Sequence, residues 1–144
     1  MVEIKIKYLT ETAKEPGQMT AGSAGYDIYA DNDDNITIVP LGRALIPTGM
    51  SVSIPIGYEA QIRSRSGLAF KHGIIVLNSP GTIDSDYRGE IKVILLNLSE
   101  NDFVINRGMR IAQMIISKCE KIKFKKVSIL EETNRNDGGF GHTD

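Results

Sequence analysis

The chain has 144 residues, 41% of them hydrophobic, which suits one domain of ordinary size with a real core. Its 17 basic and 18 acidic residues nearly balance, which argues against a dedicated nucleic-acid binder, since that affinity needs a basic excess. Cys119 is the one cysteine, so an internal disulfide and a Cys-rich zinc site are both excluded.

The dominant hydrophobic period is two. At the start, Val2, Ile4, Ile6 and Tyr8 point one way and Glu3, Lys5 and Lys7 the other, which predicts a strand and not a targeting segment. A second strand is expected in Ala24–Ala30, where Asp27 interrupts an apolar run. Further strands are expected at Asn35–Val39, Gly49–Ile54 and Tyr58–Arg63. Gly67–His72 is the one candidate helix, with Ser66 standing where an N-cap would. The apolar runs Gly73–Leu77 and Ile91–Leu96 enclose a polar stretch that reads as one arm of a hairpin. Gly89–Asn97, Phe103–Ile105 and Arg110–Ser117 follow as strands, and Lys121, Lys123 and Lys125 alternate with Ile122 and Phe124 as a last one. Pro, Gly, Asn and Asp fill the gaps, as in Pro16-Gly17, Asp31–Asn35, Pro47–Gly49, Pro55–Gly57 and Asn106–Gly108. Many short strands at close spacing predict an all-β barrel or sandwich. No apolar run approaches the ~18 residues that cross a bilayer. With a lone cysteine and no visible leader, this points to a reducing cytoplasm and no membrane partner.

A compact domain is expected over 1–130. From Glu131 to Asp144 the chain holds three glycines and a single aromatic, Phe140. Such a tail has little to bury, so it reads as a frayed end. Equally, Gly-Gly-Phe-Gly near Arg135 is what a lid over a phosphate and a base would need.

Five clusters carry chemistry. Asp27 in its apolar strand is an outward-facing acid, a structural partner of an arginine, or a site residue. Arg63-Ser64-Arg65-Ser66-Gly67 leads into the candidate helix, whose first N–H groups suit phosphate; the alternative is a capped turn with solvated arginines. The run from Asn78 to Lys92 contains Asp84 and Asp86. An extended chain puts these two on opposite faces, so they are no carboxylate pair. A hairpin with free edge groups there reads a base through its main chain; otherwise the run is an acidic surface turn. Gln113 is a neutral amide in an apolar strand, free to serve a ligand or to bond inside the barrel. In the tail, Arg135 and Thr143 suit phosphate and Phe140 suits stacking on a base.

In order and spacing these clusters resemble the five motifs of the trimeric dUTPase family. The most specific parts are Arg65-Ser66-Gly67, Gly81-Thr82-Ile83-Asp84-Ser85-Asp86-Tyr87-Arg88-Gly89 and Gly138-Gly139-Phe140-Gly141. The chain departs from the pattern at Ser64, where many members have proline, and at Asn136, where glycine is usual. It departs again at Asp144, which follows Thr143 where glycine is frequent.

The resemblance implies a jelly-roll-like β-barrel with one short helix, assembled as a homotrimer with exchanged C-terminal tails. It implies hydrolysis of dUTP to dUMP and pyrophosphate, which keeps uracil out of DNA and supplies dUMP for thymidylate synthesis. Asp84 is then the base that activates water for attack on the α-phosphorus. Arg65, Ser66, Gly67, Gln113, Arg135 and Thr143 hold phosphates. Asn78 and the main chain around Thr82, Ile83, Asp84 and Lys92 read uracil. Tyr87 lies against the deoxyribose, with Phe140 and Gly141 closing from the tail. Magnesium is carried chiefly by the triphosphate, with Asp27 touching it through water at most. The rival readings are a dCTP deaminase-like enzyme of the same fold, which would need a relay glutamate in the pocket, and a dUTP-sensing regulatory protein.

Overall fold

The computed structural model describes residues 1–139. Eleven strands and one short helix follow one another along them, and four small sheets enclose an aliphatic core. β1 (Lys5–Tyr8) pairs with β5 (Met50–Ser53), and β3 (Ile36–Ile38) with β10 (Phe103–Ile105). β2 (Tyr26–Tyr29), β11 (Arg110–Lys118), β6 (Tyr58–Arg63) and β8 (Gly81–Ile83) form a four-stranded sheet in that order. β4 (Arg43–Pro47), β9 (Lys92–Asn97) and β7 (Ile74–Val76) form a three-stranded one. Every pairing is antiparallel and joins strands distant in sequence, as in a jelly roll. Among the described residues, no helix is long and apolar enough to cross a membrane.

The largest fully buried side chains are mostly isoleucine, leucine and valine, including Ile28, Ile46, Ile74, Ile91, Leu95 and Ile111. β-branched residues favour the pleated backbone and pack across facing sheets. The one fully buried amide, Asn97, is satisfied all round. It donates to the Ile38 and Asn101 carbonyls at 2.8 Å each, and its oxygen accepts from the Ser99 N–H at 2.9 Å and hydroxyl at 2.7 Å. That bonding fixes the end of β9 without an unpaired polar group.

Several expectations change. β4 carries no alternating pattern, since Ala44, Leu45 and Ile46 are consecutive apolars and Pro47 ends the strand. It is nonetheless an edge strand, where proline is tolerated. The apolar runs on either side of the polar stretch do pair antiparallel, as β7 and β9, but β8 within that stretch turns away to β6, so β8 and β9 form no hairpin. The segment between them therefore bridges two sheets. The strand expected at Lys121–Lys125 is absent, because this stretch lies exposed with no sheet partner among the described residues. Among the described residues the last strand ends at Lys118.

Candidate active site

Apart from the tail, the expected site residues fall into two groups, one on the four-stranded sheet and one between that sheet and the three-stranded one. The first is built on β2, β11 and the β6–α1 junction. Asp27 is buried, with its side chain 11% exposed, and each carboxylate oxygen meets an arginine. Arg65 Nε reaches Oδ1 at 3.1 Å and Arg110 Nη1 reaches Oδ2 at 3.0 Å. Arg65 also donates to the Arg110 carbonyl at 3.1 Å. Of the readings open for Asp27, pairing with arginine is therefore the observed one, and it involves two. A buried carboxylate is stable only when paired in this way. The pair of ion contacts holds both guanidinium groups in place, and both remain partly exposed.

Gln113 lies opposite Asp27 on one side and Arg63 on the other. Its amide donates to the Ser64 carbonyl at 2.9 Å, which fastens β11 to the start of the helix turn. A Cβ on Gly25 would fall on the Gln113 amide oxygen, so a side chain there would displace it.

Sequence reasoning passed over Arg110. Counted in twos from Gln113, it should face the opposite side. A β-bulge between Arg110 and Ala112 shifts the register and returns Arg110 to the Asp27 face. Its signal was charge: a second cation beside a buried acid.

Helix α1 spans Ser66–His72, so Ser66 is its first residue and not its cap. Arg65 occupies the N-cap position, with no side-chain cap bond. The first-turn N–H groups and Ser66 thus follow directly on Arg65, whose guanidinium is held by Asp27. Gly73 ends the helix in the left-handed conformation, with φ 65°.

The second group lines a cavity of 530 Å³ between β8 and β9. Asn78, Thr82, Ile83, Asp84, Tyr87 and Lys92 all line it. Apolar walls come from Leu45, Ile62, Val76 and Val93. Its size falls in the range of small-molecule sites. β8 is an edge strand paired only to β6, so one side of its main chain is unpaired beside the cavity. The chain does not stay extended past Ile83. It turns, with the Tyr87 N–H bonded to the Asp84 carbonyl at 3.2 Å. Asp84 lies on the cavity lining and is exposed; Asp86 is exposed and not part of that lining. The walls from Leu45, Ile62 and Val76 were not singled out from sequence, since only the packing of two sheets brings them together.

The Cys119 thiol is pushed up from its ordinary pKa, first by desolvation, then by the carboxylates of Glu59 and Asp84. The strand register agrees: Ala60 pairs with both Ile83 and Ile116, so Asp84 follows toward the end where the chain leaves β11. Ile83 pairs with Ala60, three residues before Arg63 on β6. At roughly 3.3 Å per residue, Ile83 sits about 10 Å along the sheet from the Asp27–Gln113 row, with Asp84 beyond it.

In the tail, Arg135 donates to the Gly138 carbonyl at 2.7 Å, so its guanidinium closes a local turn. Asn136 has φ 42°, a conformation that asparagine tolerates better than most residues. The departure from glycine at this position keeps the turn. Phe140, Gly141 and Thr143 lie outside the described residues.

Comparison with known proteins gives one answer. The family model for dUTPase matches residues 11–144. The deoxyuridine 5'-triphosphate nucleotidohydrolase of Rickettsia akari is 57% identical over 144 residues, covering 99% of this chain and 97% of its own. That of Finegoldia magna is 54% identical over 141 residues, covering 97% and 99%. Among solved structures, Staphylococcus bacteriophage 80alpha dUTPase with dUPNHPP is similar with a TM-score of 0.89 at 26% identity, over 99% of this chain and 98% of that one. A mutant dUTPase from phage phi11 of S. aureus, in which a structural Mg(II) ion is coordinated, has a TM-score of 0.81 at 25% identity, over 90% and 99%. With the family model spanning nearly the whole sequence and relatives above half identity, the chain belongs to the dUTPase family.

Proposed function

We propose that the chain hydrolyses dUTP to dUMP and pyrophosphate at a site shared between copies in a homotrimer. The observation that carries this is Asp84 lining a cavity walled by an edge strand. An unpaired main-chain edge offers fixed donors and acceptors to the polar edge of uracil. Cytosine presents the wrong pattern and would leave them unpaired, which is how a site rejects an analogue strongly. The Asn78 amide and the Lys92 main chain complete the base contacts, and Tyr87 stands against the sugar.

Asp84 takes the proton from a water lined up with the α-phosphorus. A carboxylate within about 3 Å of that water both orients it and raises its nucleophilicity. Arg65, Ser66, Gly67 and Gln113 hold the phosphates and offset charge on the leaving oxygens. Arg110 steadies Asp27, which in turn steadies Arg65. Arg135, Phe140, Gly141 and Thr143 close the site from the tail.

Register sets the phosphate ligands of one chain about 10 Å along the sheet from its Ile83, with Asp84 beyond it, and this supports a site in which a second copy brings its own phosphate corner to this Asp84. The surface left open by a single chain supports such an assembly. Ile122, Phe124, Ile129 and Leu130 are each more than 70% exposed on the arm. Ile4, Ile6, Tyr26, Val52, Met114 and Ile116 line a second cavity of 530 Å³. Apolar side chains left open in this way support an interface between copies. Cys119 is an exposed free thiol, in keeping with a reducing cytoplasm.

Magnesium belongs to this reading as an ion carried by the substrate. Among the described residues no three acidic, histidine or cysteine side chains are placed to hold a metal. Both Asp27 oxygens already meet arginines. The donor set therefore fits an ion held by triphosphate oxygens and water, with Asp27 at most a contact through water. When bound, the ion offsets negative charge on the phosphates.

The test is pyrophosphate release from dUTP, UTP, dTTP and dCTP, with ammonia followed in parallel. Turnover of dUTP alone is expected, and it should be lost in Asp84→Asn while dUTP binding persists. Ammonia from dCTP would favour the deaminase, and near-normal turnover by Asp84→Asn would remove the assigned role.

A further inference from the structure

We propose that Glu90 is a positioning residue for sugar selectivity. It ties the loop that carries Tyr87 to the turn between β4 and β5, and so fixes the ring where a 2′-hydroxyl would have to fit. This rests on the reading of the cavity as a nucleoside pocket.

Tyr87 is 44% exposed, so packing alone does not hold it. Its hydroxyl donates instead to the Glu90 carbonyl at 2.9 Å. The ring can fold back this far only because residue 89 is glycine. A Cβ on Gly89 would overlap the Tyr87 hydroxyl oxygen and stand 2.6 Å from Cζ. The other end of Glu90 is tied down as well. One carboxylate oxygen accepts the Gly49 N–H at 3.0 Å, and the other meets Lys92 Nζ at 3.3 Å. Ile91 adds two bonds to the same turn: its N–H donates to the Met50 carbonyl at 2.9 Å, and its carbonyl accepts the Thr48 hydroxyl at 2.6 Å. Two consecutive residues are thus stitched to a turn between two strands, and Tyr87 is hung from the first of them.

Rejecting a single extra oxygen by contact demands such a support. A pocket that merely fits the deoxy sugar discriminates weakly against an added hydroxyl. A wall does so only if its atoms hold to within about 0.5 Å. Loss of the Glu90–Gly49 bond frees the loop to yield by that much, which admits UTP without removing any group that touches dUTP's polar edge.

The experiment compares kcat/KM for dUTP and UTP in the wild type, Glu90→Ala, Glu90→Gln, Tyr87→Phe and Tyr87→Ala. Glutamine keeps an oxygen for the Gly49 N–H, so Glu90→Gln should hold the dUTP-to-UTP ratio within about twofold, while Glu90→Ala lowers it about tenfold, chiefly through a lower KM for UTP. Tyr87→Phe loses only the bond to the Glu90 carbonyl and should lower the ratio several-fold. It decides the matter if Glu90→Ala does not fold. An unchanged ratio in Glu90→Ala, or in Tyr87→Phe where the alanine variant is lost, overturns the proposal. If Tyr87→Ala lowers the ratio while those variants do not, the positioning role alone falls. If Tyr87→Ala leaves it unchanged too, the nucleoside-pocket reading falls with it.

Discussion

Mixing two inactive variants tests the shared site. Asp84→Asn removes the general base, and loss of such a group costs about 10²- to 10⁴-fold. Arg65→Ala removes a cation that places the phosphates, and a misplaced substrate costs on the order of 10²-fold. Each variant alone should therefore show about 1% activity or less. The register of β6 with β8 and β11 separates Asp84 from the Arg65 corner of its own chain. A working site then needs Asp84 from one chain and Arg65 from its neighbour. In a closed ring assembled at random from equal amounts, the first chain must be the Arg65 variant and the second the Asp84 variant. About one quarter of sites meet both conditions. The two proteins are denatured, mixed and refolded, and pyrophosphate release is measured against wild type taken through the same cycle. Recovery to about one quarter of wild-type activity is expected, with none on mixing folded proteins before exchange. If the refolded mixture stays near the level of the separate variants, both groups act within one chain, and the distance argument is wrong.

Other outcomes follow from individual contacts. Asp27→Asn keeps one acceptor but turns an N–H group toward a guanidinium, so about 1.5–3 kcal/mol of charge-assisted bonding is at stake. In thermal melts at fixed chain concentration the midpoint should fall by several degrees, and KM for dUTP should rise; an unchanged midpoint would show that the two arginines do not depend on Asp27. Gly25→Val should displace the Gln113 amide and weaken dUTP binding, measured by calorimetry with a nonhydrolysable analogue. Because partial desolvation and then the carboxylates of Glu59 and Asp84 raise the pKa of the exposed Cys119 thiol, its reactive thiolate should appear only at higher pH than in a free cysteine. Asp84→Asn removes one of those negative charges, so the midpoint of iodoacetamide reactivity against pH should move down; no movement would place Asp84 away from the thiol. Chelation with EDTA should abolish turnover yet leave the melting midpoint without nucleotide unchanged, since the described residues offer no metal cage.

The sequence shows most strands and places the motif residues, because period-two alternation and turn residues are local signals. What it hides depends on neighbours. β4 lacks alternation because Leu45 faces the cavity beside buried Ile46, and only the adjoining sheet shows why. Arg110 was passed over because a bulge reverses its side of the strand. The apolar flanks of the Asp84 stretch do pair with each other, as β7 and β9, but nothing in the sequence shows that β8 between them joins β6 and makes the stretch a bridge between sheets. Ile122 and Phe124 alternate like a strand, yet no strand among the described residues pairs with them. The Asp27 triad is the reverse case: an acid in an apolar run signals a partner, and the fold supplies two.

The most direct test of the chemistry is hydrolysis of dUTP in water enriched in oxygen-18. Attack by an Asp84-activated water on the α-phosphorus places the heavy oxygen in dUMP and leaves the pyrophosphate unlabelled. Label in the pyrophosphate would mean attack at the β-phosphorus and would contradict the role given to Asp84.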